Sequence, residues 1–237
     1  MNWENFWKNY RPVKIKTDSD LLYQVGKTIA GGSINSDQLD EIANSIIALL
    51  DLKDSDILLD LCCGNGVLTY KLSKRVKKVI AIDFSEQMII NARKYKNTSN
   101  IGYYIEDIKK IKIGSEYLDG QNINKVLLYD GLAYFTSDEL KDLLKKLNDD
   151  MSAKDVKILL GSVLDKNKKW MFYNTFMRKL NYLLMHKLLG MNKGLGKWWS
   201  ENEIRNICDD IKIRSTFFQQ NTIFYTSHYR MDVVIER

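Results

Sequence analysis

Apolar and polar positions fall into two kinds of block along the chain. Leu39, Ile42, Ala43, Ile46, Leu49 and Leu50 recur at helical spacing, which predicts a helix over 37–50 with Asn35 or Ser36 as its cap. A different block begins at Ile57, an apolar run broken only by Asp60, and Lys78-Val79-Ile80-Ala81-Ile82-Asp83 is a second run that ends in an acid. Short continuous apolar runs bounded by turns predict strands. Between the two runs, Val67, Leu68, Tyr70 and Leu72 have the apolar content of an amphipathic helix, and after the second run Ser85 stands where a helix cap belongs. Residues 101–105, 125–130 and 156–163 predict third, fourth and fifth strands, with a helix over 137–147 that points Leu140, Leu143, Leu144 and Leu147 inward. Ser200-Glu201-Asn202-Glu203 has the form of a capping box for a helix to about Cys208. Residues 211–218 and 229–235 read as two closing strands joined by a loop over 219–228, and 109–123 as a polar, exposed connection. Strands alternating with helices in this way predict an α/β sheet.

Two segments stand outside the alternation. In the first, residues 1–36, Trp3, Phe6, Trp7 and Tyr10 share helical spacing. Leu21, Leu22 and Val25 follow as packing residues, while Tyr23, Gln24 and Lys27 are polar groups able to face a cleft. This segment is expected to cap the domain formed by 37–237. In the second, residues 166–199, Trp170, Phe172, Tyr173, Phe176, Met177, Arg178, Tyr182, Met185, His186, Trp198 and Trp199 form an aromatic and methionine-rich stretch that ends among Gly190, Gly194 and Gly196. It is expected to be a substrate-cap insertion with a flexible last part.

Composition narrows the field modestly. The 237 residues are 45% hydrophobic and 28% charged, ordinary values for a globular chain, with a formal charge of +6. The lysines are spread along the whole sequence, which reads as a solvated basic surface rather than a nucleic-acid footprint. Three cysteines, two of them adjacent, make neither a disulfide framework nor a zinc site, so no metal is expected. The first residues lack the basic start and apolar core of a signal peptide, and no apolar run approaches the ~20 residues of a membrane span. A cytoplasmic monomer or homodimer is expected.

Chemistry concentrates in Ile57-Leu58-Leu59-Asp60-Leu61-Cys62-Cys63-Gly64-Asn65-Gly66. Strand, glycine turn and helix in that order open a nucleotide-binding βαβ unit, where Gly64 and Gly66 let the backbone approach a ligand. Asp83, 17 residues after Gly66, is placed to accept hydrogen bonds from the two hydroxyls of an adenosine ribose. A dehydrogenase would need a third glycine, and Val67, Leu68 and Thr69 follow Gly66 instead. Gly26-Lys27-Thr28 has the last letters of a phosphate-binding loop, but Leu21 occupies the position of its first glycine.

Asp60 to Gly66, together with Ala81-Ile82-Asp83-Phe84-Ser85 and Glu106-Asp107-Ile108, resembles the class I S-adenosylmethionine-dependent methyltransferases, in register over about 37–165. Cys62 departs from the glycine that family members often have there. The resemblance implies an α/β, Rossmann-like sheet of seven strands in the order 3-2-1-4-5-7-6, with strand 7 antiparallel, an N-terminal helical cap and an insertion after strand 5. It implies S-adenosylmethionine as cofactor and S-adenosylhomocysteine as product, held by Asp60, Cys62, Cys63, Gly64, Asn65, Gly66, Asp83, Phe84, Met88, Glu106, Asp107, Ile108 and Tyr129. In that scheme Asp107 accepts from the adenine amino group and Ile108 flanks the ring.

The end of the fourth strand lies beside the methyl group in this fold, so Asp130 and Tyr134 are catalytic candidates. His228 is a third, as a base of near-neutral pKa for a hydroxyl acceptor. For an anionic acceptor no base is needed, and Lys27, Arg178 and Arg230 would hold the charge. Tyr23, Gln24, Lys27, Tyr173 and Arg178 are the substrate-contact candidates. The Asn/Asp-Pro-Pro-Tyr/Phe motif of base-amino methyltransferases is replaced by Tyr129-Asp130-Gly131-Leu132, and Pro12 is the only proline. The expected activity is O-methylation of a small polar metabolite, such as a sugar or a phosphorylated or phosphoramidate precursor of a bacterial surface polysaccharide. An RNA or protein methyltransferase is one alternative, to be recognised by a basic face at the cofactor mouth. A non-catalytic S-adenosylmethionine-binding protein is the other, to be recognised by an occluded acceptor pocket.

Overall fold

A computed structural model describes residues 14–112, 117–118, 120–150, 156–184 and 195–236. Trp3, Phe6, Trp7, Tyr10, Met185, His186, Gly190 and Gly194 lie outside the described residues. Helix α1 (Asp18–Gln24) starts at a capping box in which Thr17 accepts from the Asp20 amide and Asp20 accepts from the Thr17 amide. A two-residue ladder pairs Thr28–Ile29 with Gly32–Ser33. Helix α2 (Ser36–Leu50) is capped by Asn35 in a box with Gln38.

The alternation then runs β1 (Ile57–Leu61), α3 (Val67–Leu72), β2 (Lys78–Asp83), α4 (Glu86–Tyr95), β3 (Ile101–Ile105), β4 (Lys125–Tyr129), α5 (Ser137–Asp150) and β5 (Lys157–Leu164). Two short helices follow, α6 (Lys169–Phe172) and α7 (Phe176–Leu183), then α8 (Glu201–Asp210), β6 (Arg214–Gln219) and β7 (Arg230–Glu236).

The seven strands lie in the order β3-β2-β1-β4-β5-β7-β6. The first five are parallel, and β7 inserts antiparallel between β5 and β6. Alternate residues of each central strand face opposite layers. Leu59 and Leu61 of β1, Ile80 and Ile82 of β2, and Val126 and Leu128 of β4 pack with α5 and α8. Leu58, Val79, Ala81 and Leu127 pack with α1, α2 and α3 on the other face. Helices cover both faces, which is why these strands read as continuous apolar runs. The strand order reverses between β1 and β4, so a crevice opens at their carboxyl ends, where open α/β sheets bind ligands.

Four local expectations change. Ser85 occupies the cap position of α4 but makes no side-chain cap bond, because its own amide is turned onto Asp83. Ser200 caps α8 by accepting from the Glu203 amide, but the Glu203 carboxylate does not return to Ser200: it pairs with Lys197 and Ser137. Within 109–123, Ile111, Leu118 and Ile123 are buried in the core, so this connection seals the sheet rather than lying free of it. The strand expected from 211 starts at Arg214: Ile211 and Ile213 are apolar because the turn closing α8 presses them on the core, with both amides donating to the Cys208 carbonyl.

Candidate active site

Two residues just past strand ends, and one within β5, take an unusual backbone conformation around the crevice. Cys62, which follows β1, and Asp130, which follows β4, both adopt the left-handed conformation, at φ 59° each. Ser162, at φ 61°, sits in the bulge where β5 shifts register against β7. Left-handed backbone at non-glycine residues is uncommon and costs of order 1 kcal/mol or more, and it gathers at functional sites. It also explains position 62: glycine takes that conformation without strain, and here cysteine must.

The turn 62–66 is fastened to β2 at several points. The Cys63 amide donates to the Ile82 carbonyl at 3.0 Å. The Asp83 carboxylate accepts from the Gly64 amide and, through its other oxygen, from the Ser85 amide, each at 2.9 Å. Burial pushes the Asp83 carboxyl up to about 6, with those two amides pulling the other way. Asp60 accepts from the Thr69 hydroxyl at 2.6 Å, and burial, with Asp83 nearby, pushes it up to about 7. Burial pushes the Cys62 and Cys63 thiols up, so both stay protonated at neutral pH.

These acids carry a pH signature. Their folded pKa values lie above the ordinary 3.8, so the folded chain binds more protons than the unfolded chain between about pH 4 and 7. Stability contributed this way is present at pH 4 and lost as pH rises through 6 and 7. The unfolding midpoint of the ligand-free protein should therefore rise on acidification from pH 8 to 5. Asp60→Asn should flatten that rise, and an unchanged slope would count against the burial of this carboxyl.

The cavity is bounded on one side by Asp60, Cys62, Cys63, Gly64, Asp83, Phe84, Ser85 and Met88, and at its other end by Lys27, Tyr129, Asp130, Gly131 and Tyr134. Val25, Val67 and Leu68 complete its wall. At the second end Lys27 Nζ donates to Asp130 Oδ2 at 3.0 Å and lies over the Tyr129 ring. Arg230 Nη1 donates to Asp130 Oδ1 at 2.8 Å and to the Ser162 carbonyl. Burial alone would raise the Asp130 carboxyl, but Lys27 and Arg230 hold it below the ordinary carboxylate range. Burial likewise raises the Tyr129 and Tyr225 hydroxyls, with Asp130 adding to both.

Several sequence candidates lie elsewhere. The Asn65 side chain turns away from the cavity: Nδ2 donates to the Leu21 carbonyl at 2.8 Å and to Gln24 Oε1 at 3.0 Å. Gln24 Oε1 also accepts from Asn91 at 3.1 Å, so Gln24 is buried beneath the loop rather than facing a cleft. Gly66 does not line the cavity; its bare α-carbon faces Tyr103 and Ala92. Glu106 donates its amide to the Asp83 carbonyl, Asp107 accepts from the Lys109 amide, and Ile108 is buried in the core, none of them lining the cavity. His228 is exposed with its ring edge-on to Tyr229, Arg178 is exposed on α7, and Tyr23 lies outside the cavity wall. Tyr173 packs among Phe172, Trp198 and Tyr182, also off the cavity.

Sequence reasoning passed over Asn91, Tyr225 and the pairing of Arg230 with Asp130. Only Asn91 left a signal, a polar residue on the core-facing side of α4 between Ile89 and Ala92.

Residues 58–151 match the family model described as a methyltransferase domain. Over those residues the chain has the sequence of a methyltransferase domain. Its sheet, with the antiparallel seventh strand, is the class I S-adenosylmethionine-dependent methyltransferase fold. The methyltransferase domain and its flanks are similar to malonyl-(acyl-carrier protein) O-methyltransferase of Bacillus anthracis, 27% identical over 189 residues, covering 75% of this chain and 65% of that protein. They are also similar to ribosomal RNA small subunit methyltransferase A of Dehalococcoides mccartyi, 33% identical over 105 residues and covering 44% of this chain and 35% of that protein. The chain thus spans less than two thirds of these relatives. Among solved structures, magnesium protoporphyrin IX methyltransferase from Synechocystis with bound S-adenosylhomocysteine superposes with a TM-score of 0.59 at 16% identity, covering 98% of this chain and 93% of that one. A methyltransferase from Leishmania major does so at 0.63 and 11%, covering 99% and 81%.

Proposed function

We propose that the protein is an S-adenosylmethionine-dependent methyltransferase that O-methylates a small acceptor whose oxygen is already anionic. The observation that carries the first half is the Asp83 carboxylate, fixed by the Gly64 and Ser85 amides at the cavity wall. Each of its oxygens accepts one backbone N–H and keeps a lone pair, which suits the two ribose hydroxyls. Phe84 and Met88 supply apolar wall for an adenine, and Asp60 is placed to pair with the ammonium of the methionine moiety. When bound, S-adenosylmethionine supplies a sulfonium-activated methyl group. The chain's own part is to align the acceptor and exclude water, effects that can account for ~7–11 kcal/mol of a barrier.

The second half rests on the acceptor end of the cavity. Asp130 is held ionised by two cations and is a poor base, while the Tyr129 hydroxyl is too weak an acid to lose its proton readily. His228 stands outside the cavity wall. Lys27 and Arg230 outnumber Asp130, leaving one positive charge to share with a carboxylate or phosphate oxygen. A phosphorylated precursor of a surface polysaccharide and a small carboxylic acid both satisfy this.

Calorimetric titration with S-adenosylhomocysteine, with NADH as control, tests the reading. The wild type should bind the homocysteine product alone. Asp83→Ala should weaken that binding by about 1–3 kcal/mol, the scale for losing a charged hydrogen-bond partner. Binding of NADH alone, or equal affinity in the variant, would overturn it.

A further inference from the structure

The excess positive charge is less evenly spread than the lysines suggest. Residues 166–200 contain eight lysines and arginines and no aspartate or glutamate. The other 28 cations stand against all 30 acids, so the rest of the chain is formally −2 and the whole +6 originates in this one stretch. The same region exposes apolar surface. Trp170, Met171, Phe176 and Met177 are 47%, 52%, 77% and 61% exposed, and Leu180 and Leu183 lie beside them in the sequence of α7. Half of the 14 exposed large apolar residues among those described fall between 170 and 184. α7 buries none of its residues, although Thr175 caps it properly. Phe172 and Tyr173 turn the other way, onto Trp198 and Tyr229, and anchor the stretch to the domain.

Scattered surface apolar residues are ordinary. A cluster of them on a helix whose charges are all basic is the pattern of a helix that lies in a membrane interface. We propose that residues 166–184 dock the protein on an anionic lipid surface, with Phe176 and Met177 entering the boundary between headgroups and acyl chains. Lys166, Arg178 and Lys179, all exposed, face the lipid phosphates. Charge decides among occupants. A second copy of this face would bring two all-basic surfaces together. RNA would satisfy the cations but leave the methionine and leucine side chains without an apolar partner. An anionic bilayer satisfies both. Among the described residues no helix is long and apolar enough to cross a membrane.

The test is flotation of the full chain with vesicles of phosphatidylcholine alone or mixed equally with phosphatidylglycerol, beside titrations with poly(U) and polyglutamate at the same salt. The protein should float with the anionic vesicles and not with the zwitterionic ones. Phe176→Ser with Met177→Ser, and separately Lys166→Glu with Lys179→Glu, should each lower partitioning by about tenfold, since each basic residue near such a surface contributes measurably. All four positions are exposed, so the urea unfolding midpoint should not move. No flotation, flotation indifferent to both pairs, or tighter binding of poly(U) or polyglutamate that survives the Phe176 and Met177 changes would each overturn the proposal.

Discussion

Gly66→Ala should destabilise the protein by about 3 kcal/mol or more, a large share of the ~5–15 kcal/mol that holds a typical domain. Two costs add. Gly66 sits at φ 74°, where an L side chain is strained by about 1–2 kcal/mol. Its added Cβ would also fall 2.9 Å from the Tyr103 ring carbon Cζ and 3.1 Å from the Ala92 methyl, and overpacking of this kind costs about 1–3 kcal/mol. Tyr103 has little freedom to retreat, because its hydroxyl donates to the Lys96 carbonyl at 2.8 Å. Gly31→Ala is the control. That glycine is also left-handed, at φ 87°, but nothing lies within 4 Å of its added Cβ. The difference between the two variants in urea unfolding isolates the collision; equal losses would mean that strain alone is at work.

Asp130→Asn is expected to cost about 3 kcal/mol and to do so through charge. Removing one member of a buried ion pair leaves the partner uncompensated, usually at 3–5 kcal/mol. Here Lys27 and Arg230 both lose their counterion, with only 6% and 13% of their side chains exposed. The lower end of the range applies, since 38% of the Asp130 side chain is open to solvent. Asparagine tolerates the left-handed backbone, so the substitution leaves φ out of the comparison. A double-mutant cycle with Lys27→Met checks the cause: neutralising one cation should restore part of the loss, and simple additivity would exclude the coupling.

Both predictions rest on contacts that the sequence does not spell out, and the reason is distance along the chain. The strands were legible because each is sealed on both faces, which forces a continuous apolar run. The glycine turn and Asp83 were legible because a short local spacing dictates them. Lys27, by contrast, meets Asp130 across 103 positions and Arg230 meets it across 100, with no periodicity to announce either pair. Asp130 was therefore read as a possible base, when its two cations make it a counterion. His228 was chosen for an intrinsic pKa, which says nothing about where a loop leaves its ring. The position of Asn65 in the turn points to a cofactor contact, yet it is Gly64 before it that lines the cavity, and the Asn65 amide faces α1.

That inward amide has a consequence for how such a chain can diverge. Gln24 Oε1 takes one N–H from Asn65 and another from Asn91, and these three side chains join the first helix, the turn and α4 beneath the cavity floor. Losing Gln24 takes this acceptor from both amides, leaving Asn65 the Leu21 carbonyl and Asn91 without it. A substitution at 24 is consequently better tolerated when position 91 changes with it. A chimera that borrows its first 36 residues from a relative inherits a mismatch unless the other two amides travel with them.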